Sequence, residues 1–282
     1  MVKVSVIIPT YNEEKDIFNC LKSLESQTLK NFEIIVVDDG SKDKTREVVK
    51  KFKKVKLIEG EHKGPGFSRN LGAKQARGEI LILIDADMTF DKDYIKNLTT
   101  PLFKDKKLIG TTHDYEIVPD LKNIWSRCWG KIRVSKEESK KVTIFRAIRK
   151  SKFLELGGFD SKYGYADDQT FWYKYKIKPE PAKNTTCYHT NPTKLKNVFK
   201  QSRWIGASLE NKLISIYPIN YFIPSIMLII SPIAIPILSL KKVIKNNDLK
   251  IFFPWMLIFM TFRYFGTISG LSRKIYLNIN VR

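Results

Sequence analysis

Apolar residues in the first third of the chain fall into short runs, and the stretches between them have helical period. Residues 4–8, 32–37, 55–58 and 80–84 are dominated by Val, Ile, Leu and Phe. Runs of this length, bounded by turn residues, predict strands buried on both faces of a sheet. Between them Ile17, Cys20, Leu21 and Leu24 recur at spacings of three and four. Val48, Val49 and Phe52 follow Ser41, a residue able to cap a helix whose first turn holds Asp43. Gly64-Pro65-Gly66 predicts a turn, and residues 68–76 a third helix. The βαβαβαβ order predicts an α/β fold: a mostly parallel sheet with flanking helices.

From 90 to 190 the pattern is mixed. Residues 91–103 predict a helix and 108–118 strand-like stretches. Residues 124–134 predict an amphipathic helix through Trp125, Cys128, Trp129 and Ile132, and 142–148 another strand. Residues 1–193 are therefore expected to form one α/β domain. Residues 194–217 predict a basic amphipathic helix, in which Lys194, Lys196, Lys200, Arg203 and Lys212 alternate with Leu195, Val198, Phe199, Trp204 and Ile205. Residues 218–282 form a distinct region with apolar helices at about 219–240 and 251–271. The first holds no charged residue, and about 20 apolar residues suffice to span a bilayer. Pro224, Pro232 and Pro236 are tolerable there. Arg263 interrupts the second and is expected to face protein, water or a lipid phosphate. A buried soluble hairpin is the alternative. The basic connection 241–250 and the basic tail both favour the cytoplasmic side, which a simple two-span hairpin satisfies for only one of them.

Charge narrows the partners. Fifty Lys and Arg against 29 Asp and Glu give +21, which attracts polyanions. Neither a C2H2 zinc spacing nor an RNA-recognition aromatic motif is present, so no nucleic-acid partner is expected. Anionic membrane lipids and nucleoside diphosphates remain. Three widely spaced cysteines, Cys20, Cys128 and Cys187, suit neither a disulfide framework nor a zinc site and point to a reducing compartment. The first ten residues read as a strand and not as a signal peptide.

Acidic residues stand at the expected strand ends: Glu13 after the first, Asp38 and Asp39 after the second, Asp85 and Asp87 after the fourth. Open α/β sheets gather such ends at one crevice. Two carboxylates one residue apart, as in Asp85-Ala86-Asp87, can reach one hard divalent cation. Helix starts and acidic turns would also account for each acid singly.

These pieces resemble the family-two glycosyltransferases of GT-A (Rossmann-like) fold. The matching residues are Pro9-Thr10-Tyr11-Asn12-Glu13-Glu14, Val36 to Ser41 with Asp43 and Thr45, Gly64 to Gly72 with Arg69-Asn70, and Asp85-Ala86-Asp87. Gly157-Gly158-Phe159-Asp160 and Asp167-Asp168 complete the set. The resemblance covers about residues 1–205. It implies an inverting, membrane-associated transferase related to those acting on polyprenyl-phosphate or other lipid-linked acceptors. It further implies that Pro9, Tyr11, Glu13, Asp38, Asp39, Arg69, Asp85, Ala86 and Asp87 line the nucleotide-sugar site. Asp87, with Asp85, would hold Mg²⁺ or Mn²⁺, and His189 falls where some members supply a further ligand, although a histidine in a strand is equally a core residue. Asp168 aligns with the catalytic base.

Three departures stand out. The late acidic motif reads Asp167-Asp168-Gln169-Thr170 where the family usually has Glu-Asp-x-Asp. Gln201-Ser202-Arg203-Trp204 is one residue short of the processive Gln-x-x-Arg-Trp motif, so Arg203 and Trp204 would contact acceptor or diphosphate, or simply anchor an interfacial helix. Met88-Thr89-Phe90 replaces the Gln and His that follow the metal motif in polyprenyl-phosphate mannose synthases. The expected function is metal-dependent transfer from a UDP- or GDP-sugar to a lipid-linked or saccharide acceptor. The catalytic domain would face the cytoplasm from a hairpin or multi-pass anchor in the cell membrane. A sugar nucleotidyltransferase and a non-catalytic membrane scaffold are the alternatives.

Overall fold

In the computed structural model, which describes residues 3–213, 222–246 and 249–277, the four apolar runs are strands. They are β1 (Val4–Thr10), β2 (Phe32–Asp38), β3 (Val55–Glu59) and β4 (Ile80–Leu83). All four are parallel, side by side in the order β3-β2-β1-β4. β1 is buried throughout. Both of its hydroxyls are satisfied: Ser5 donates to Glu33 at 2.6 Å and accepts the Gly78 N–H at 2.8 Å, and Thr10 donates to Asp38 at 3.5 Å. Strand alternation sends Val4, Val6 and Ile8 to one face, where they pack with Ile17, Cys20, Leu21 and Leu24 of α1 (Ile17–Glu25). Ile7 points to the other face, with Ala73 of the helix Pro65–Gln75.

The second helix, α2 (Thr45–Lys50), starts later than expected and is not capped by Ser41. The Asp43 carboxylate accepts the Thr45 N–H at 3.0 Å and its hydroxyl at 2.5 Å, while Ser41 Oγ accepts the N–H of Asn12. Ser41 thus ties the loop after β2 to the loop after β1. Pro65–Gln75 is α3.

Beyond β4 the sheet becomes mixed. β5 (Met88–Phe90), β6 (Gly110–Ile117), β7 (Ile132–Val134), β8 (Ala147–Arg149) and β9 (Glu180–His189) extend it to the order β3-β2-β1-β4-β8-β6-β9-β5, with β7 beside β6. β8 runs antiparallel to β4 and β6, β5 antiparallel to β9, and β6 parallel to β9. The remaining helices are α4 (Tyr94–Lys104), α5 (Ile124–Trp129), α6 (Lys150–Glu155), α7 (Thr170–Tyr175), α8 (Leu195–Leu213), α9 (Ile223–Lys245) and α10 (Phe253–Leu277). The helix expected over 124–134 stops at Gly130, whose φ of 112° no helix accommodates, and its last residues join β7. The strand expected over 142–148 is confined to β8.

The chain divides into two compact units. One comprises Met1–Ile117, Ile132–Lys162 and Asp167–His189 and holds the whole sheet; the other comprises Val118–Lys131, Tyr163–Ala166 and Thr190–Arg282. In the helical unit, α8 and α10 cross closely because glycines face them. A Cβ at Gly270 would lie 1.9 Å from the Arg203 carbonyl oxygen, and one at Gly206 2.1 Å from that of Thr267. The expected basic helix is α8, with residues 214–217 outside the described ones. Residues 219–221 of the expected apolar helix also lie outside, and α9 is its described part. Among the described residues α9 is the one helix long and apolar enough to cross a membrane. The second apolar stretch is a helix too, but α10, interrupted by Arg263, is not apolar enough over a membrane-spanning length.

Gly110 opens β6 where a Cβ would lie 2.4 Å from the Phe145 ring and 2.5 Å from the Ala147 carbonyl oxygen. Gly110→Ala is expected to lower stability by about 1–3 kcal/mol through overpacking, measured by urea unfolding.

Candidate active site

Two sheet registers determine what surrounds the end of β4. β8 pairs Ala147 with Ile82, and the Leu83 N–H donates to the Arg146 carbonyl at 2.9 Å, so Arg146 stands next to the residues leaving β4. β5 pairs Met88 with His189 of β9, which brings His189 beside Asp87.

Asp85 turns its two carboxylate oxygens to two arginines. One accepts from Arg69 of α3, and the other from Arg146 at 3.2 Å. Arg69 is itself buried and also donates to Asp167 at 3.1 Å. Burial alone would raise the Asp85 carboxyl, but Arg69 and Arg146 hold it well below the usual carboxylate range. Close approach of α3 to Asp167 depends on Gly66, where a Cβ would lie 2.7 Å from Asp167 Oδ2. Asp168 follows at the entrance to α7, half-buried, and its carboxylate takes no hydrogen bond among the described residues. Burial, then Asp167, push it up to about 7.

Asp87 and His189 face one another, Oδ1 to Nε2, at 3.2 Å. Nδ1 of the same ring lies 2.6 Å from Glu116 of β6. Burial disfavours the imidazolium, but Asp87 and Glu116 outweigh it and hold His189 up to about 9. Burial would also raise Glu116, but His189 and His113 keep it well below its ordinary value. Glu116 is the hub here: His113 Nε2 lies 3.0 Å away, Arg133 3.5 Å and Arg146 4.0 Å. His113, Glu116 and Cys187 are fully buried and mutually close. Glu13 completes the acidic side. Burial, then Asp87, Asp16 and Asp85, push its carboxyl up to about 9.

The residues present fit a divalent cation at Asp87. Asp87, Asp16 and Asp85 add to the burial that raises Glu13, so acids crowd this end of the crevice. A carboxylate and an imidazole nitrogen converge, and Glu116 backs the far ring nitrogen, an arrangement that orients metal-bound histidines. Of the three expected ligands, Asp87 and His189 meet in this way, whereas Asp85 is engaged by arginines.

Other expected residues are placed as follows. Asp38 is fully buried, accepting the Ser41 N–H at 3.0 Å and pairing with Arg46 at 3.2 Å. Asp39 accepts the N–H groups of Lys63 (2.8 Å) and Gly64 (2.9 Å), and His62 Nδ1 lies 2.8 Å from it. Gly64, at φ 96°, makes that close loop approach possible. The Tyr11 ring stacks on His62 at 3.9 Å between centroids. Pro9 lies in β1 opposite Val37, and Ala86 is buried between the two acids. Arg203 and Trp204 belong to the helical unit, where Trp204 meets Tyr165 edge to face at 4.9 Å. Sequence reasoning missed Arg146, Glu116, His113 and Arg133. The signal that could have found two of them is three ionisable residues, His113, Asp114 and Glu116, inside a strand-like stretch.

Comparison with known proteins gives the family and the fold. The sequence model of glycosyl transferase family 2 matches residues 5–157, more than half of the chain. The chain belongs to that family. The poly(ribitol-phosphate) beta-N-acetylglucosaminyltransferase TarS of Staphylococcus aureus is 42% identical over 104 residues, 34% of this chain and 18% of TarS. The matched stretch thus spans less than a fifth of that relative. Among solved structures, S. aureus TarS 1–349 in complex with UDP-GlcNAc aligns with a TM-score of 0.54 at 20% identity, over 98% of this chain and 92% of that one. The mannosyltransferase PcManGT from Pyrobaculum calidifontis, in complex with GDP-Man and Mn²⁺, aligns at 0.60 and 18%, over 98% and 88%. At these identities the two structures establish the fold, which is GT-A.

Removing the Arg69 guanidinium leaves Asp85 and Asp167 without a shared counter-charge. Arg69→Met is expected to cost about 3–5 kcal/mol of stability, read by urea unfolding. The sign with pH follows from Asp85. Its depressed pKa makes this contribution full above about pH 4 and lost as pH falls further, so the gap between variant and wild type should narrow in acid.

Proposed function

We propose that the chain transfers a sugar, with inversion, from a nucleoside-diphosphate donor to an acceptor hydroxyl, using Asp168 as general base. The observation that carries this reading is the Asp168 carboxylate: half-buried, free of hydrogen bonds among the described residues and pushed up to about 7. A base with a pKa near the working pH combines availability with proton affinity. Asp168 takes the acceptor proton as the acceptor oxygen attacks the anomeric carbon. The bond from that carbon to the phosphate oxygen breaks on the opposite side, and the nucleoside diphosphate leaves. Arg69, held between Asp85 and Asp167, positions Asp85 at the donor side. Asp87 and His189 would hold a divalent cation, which when bound neutralises charge developing on the leaving diphosphate. A nitrogen ligand beside the carboxylate favours Mn²⁺ over Mg²⁺, which prefers oxygen and water. The complexes of the two structural relatives, one with UDP-GlcNAc and one with GDP-Man and Mn²⁺, support a nucleotide-sugar donor. The apolar α9 and the excess of basic residues support work at the cytoplasmic face of a membrane, on a lipid-linked or saccharide acceptor.

Asp168→Asn is expected to reduce transfer to a hydroxyl acceptor by about 10²–10⁴-fold while donor affinity, measured by calorimetry, stays near wild type. Near-normal turnover would remove Asp168 from the role. Because the base must be ionised, kcat/KM of the wild type should fall about tenfold per pH unit below about 7. Chelation should abolish turnover, and Asp87→Ala should weaken Mn²⁺ binding, followed by electron paramagnetic resonance, by about 10–100-fold.

A further inference from the structure

The helical unit concentrates cations around one indole. Trp129, the last residue of α5, meets Phe259 of α10 edge to face, and the Arg263 guanidinium carbon lies 4.2 Å from its ring centroid. From α9, Lys242 Nζ donates to the Trp129 carbonyl at 3.2 Å. Trp129 Nε1 is buried without a hydrogen-bond partner. Among the described residues the Arg263 guanidinium makes no side-chain hydrogen bond or ion pair; beside a longer-range interaction with Tyr165 it lies against the rings of Trp129 and Phe259. The sequence of this unit holds sixteen Lys and Arg against three Asp and Glu, so acids to match these cations are scarce.

Buried donors without acceptors are costly, and a guanidinium presents five of them in a planar fork. Contact with an aromatic face satisfies the charge in part and leaves the N–H groups unfilled. Phosphate, with several oxygens that each accept from such forks, matches this donor set. Location selects its carrier. Ile226, Ile229, Ile233 and Ile237 of α9 are exposed, and Lys242 stands where that apolar run gives way to charge, the level at which a helix meets lipid headgroups.

We propose that Arg263 and Lys242, with the indole N–H of Trp129, bind the phosphate of an anionic lipid headgroup. The inference rests on the reading of the helical unit as membrane-facing.

The test uses the full chain, purified in detergent, delipidated and titrated with dioctanoyl phosphatidylglycerol under native mass spectrometry. Dioctanoylglycerol and inorganic phosphate serve as the lipid and the phosphate alone. Wild type should bind one phosphatidylglycerol in preference to either. Arg263→Gln and Lys242→Gln should each weaken it about tenfold, with Arg263→Lys intermediate. Lys241→Gln, an exposed neighbour on α9, should change it less than about twofold. Equal loss in Lys241→Gln means diffuse surface charge and overturns the site. Equal binding of dioctanoylglycerol or of inorganic phosphate overturns the lipid-phosphate assignment. Should Arg263→Gln fail to fold by circular dichroism, Lys242→Gln decides. Flotation with phosphatidylcholine vesicles separates the two readings. A chain that does not float has no membrane-facing unit, whereas one that floats without headgroup preference loses only this proposal.

Discussion

The Arg69 guanidinium is the constraint on which the crevice depends. It is buried, and it ties the segment leaving β4 to the segment entering α7 through Asp85 and Asp167. Those segments are some eighty residues apart in sequence. A buried cation between two carboxylates contributes little net stability compared with an apolar filling, but breaking it strands the remaining charges. Its effect is therefore on geometry more than on the depth of the energy well. Arg146 reinforces it from β8 and extends the same network to Glu116, so that charges on both sides of the crevice are held by one connected set.

The parallel half of the sheet was legible because its strands are apolar on both faces and its first two helices alternate with them. Capping was misjudged at Ser41 because a serine near a helix start can equally serve a neighbouring loop, and here Asn12 takes it. The mixed half was harder to read. β7 and β8 are three residues each, too short for any periodicity, and the break at Gly130 is set by one dihedral angle. The acids at strand ends were visible from their positions. What the sequence could not expose was who answers them: Arg146 lies sixty-one residues from Asp85, and Glu116 seventy-three from His189. Such pairings exist only once β8, β6 and β9 are in register.

The helical unit obeys a different logic. Its contacts come from glycines that let α8 and α10 approach backbone to backbone and from aromatic rings set edge to face. Small residues at helix crossings are the usual means of association where burial of apolar surface gives no advantage. The same unit carries most of the excess positive charge, so apolar exposure and basicity reside in one part of the chain.

The facing of Asp87 and His189 is inherited from a single antiparallel pairing, Met88 with His189. Side chains alternate along a strand, so a shift of β9 by one residue would present Tyr188 or Thr190 in place of the imidazole and turn the ring toward the opposite face. The length of the chain between β5 and β9 can vary in its loops, but within the last turns of β9 a single inserted or deleted residue is an on–off change. In this chain a substitution near that strand end alters the site by degrees, whereas a residue inserted or deleted there removes the imidazole from it outright.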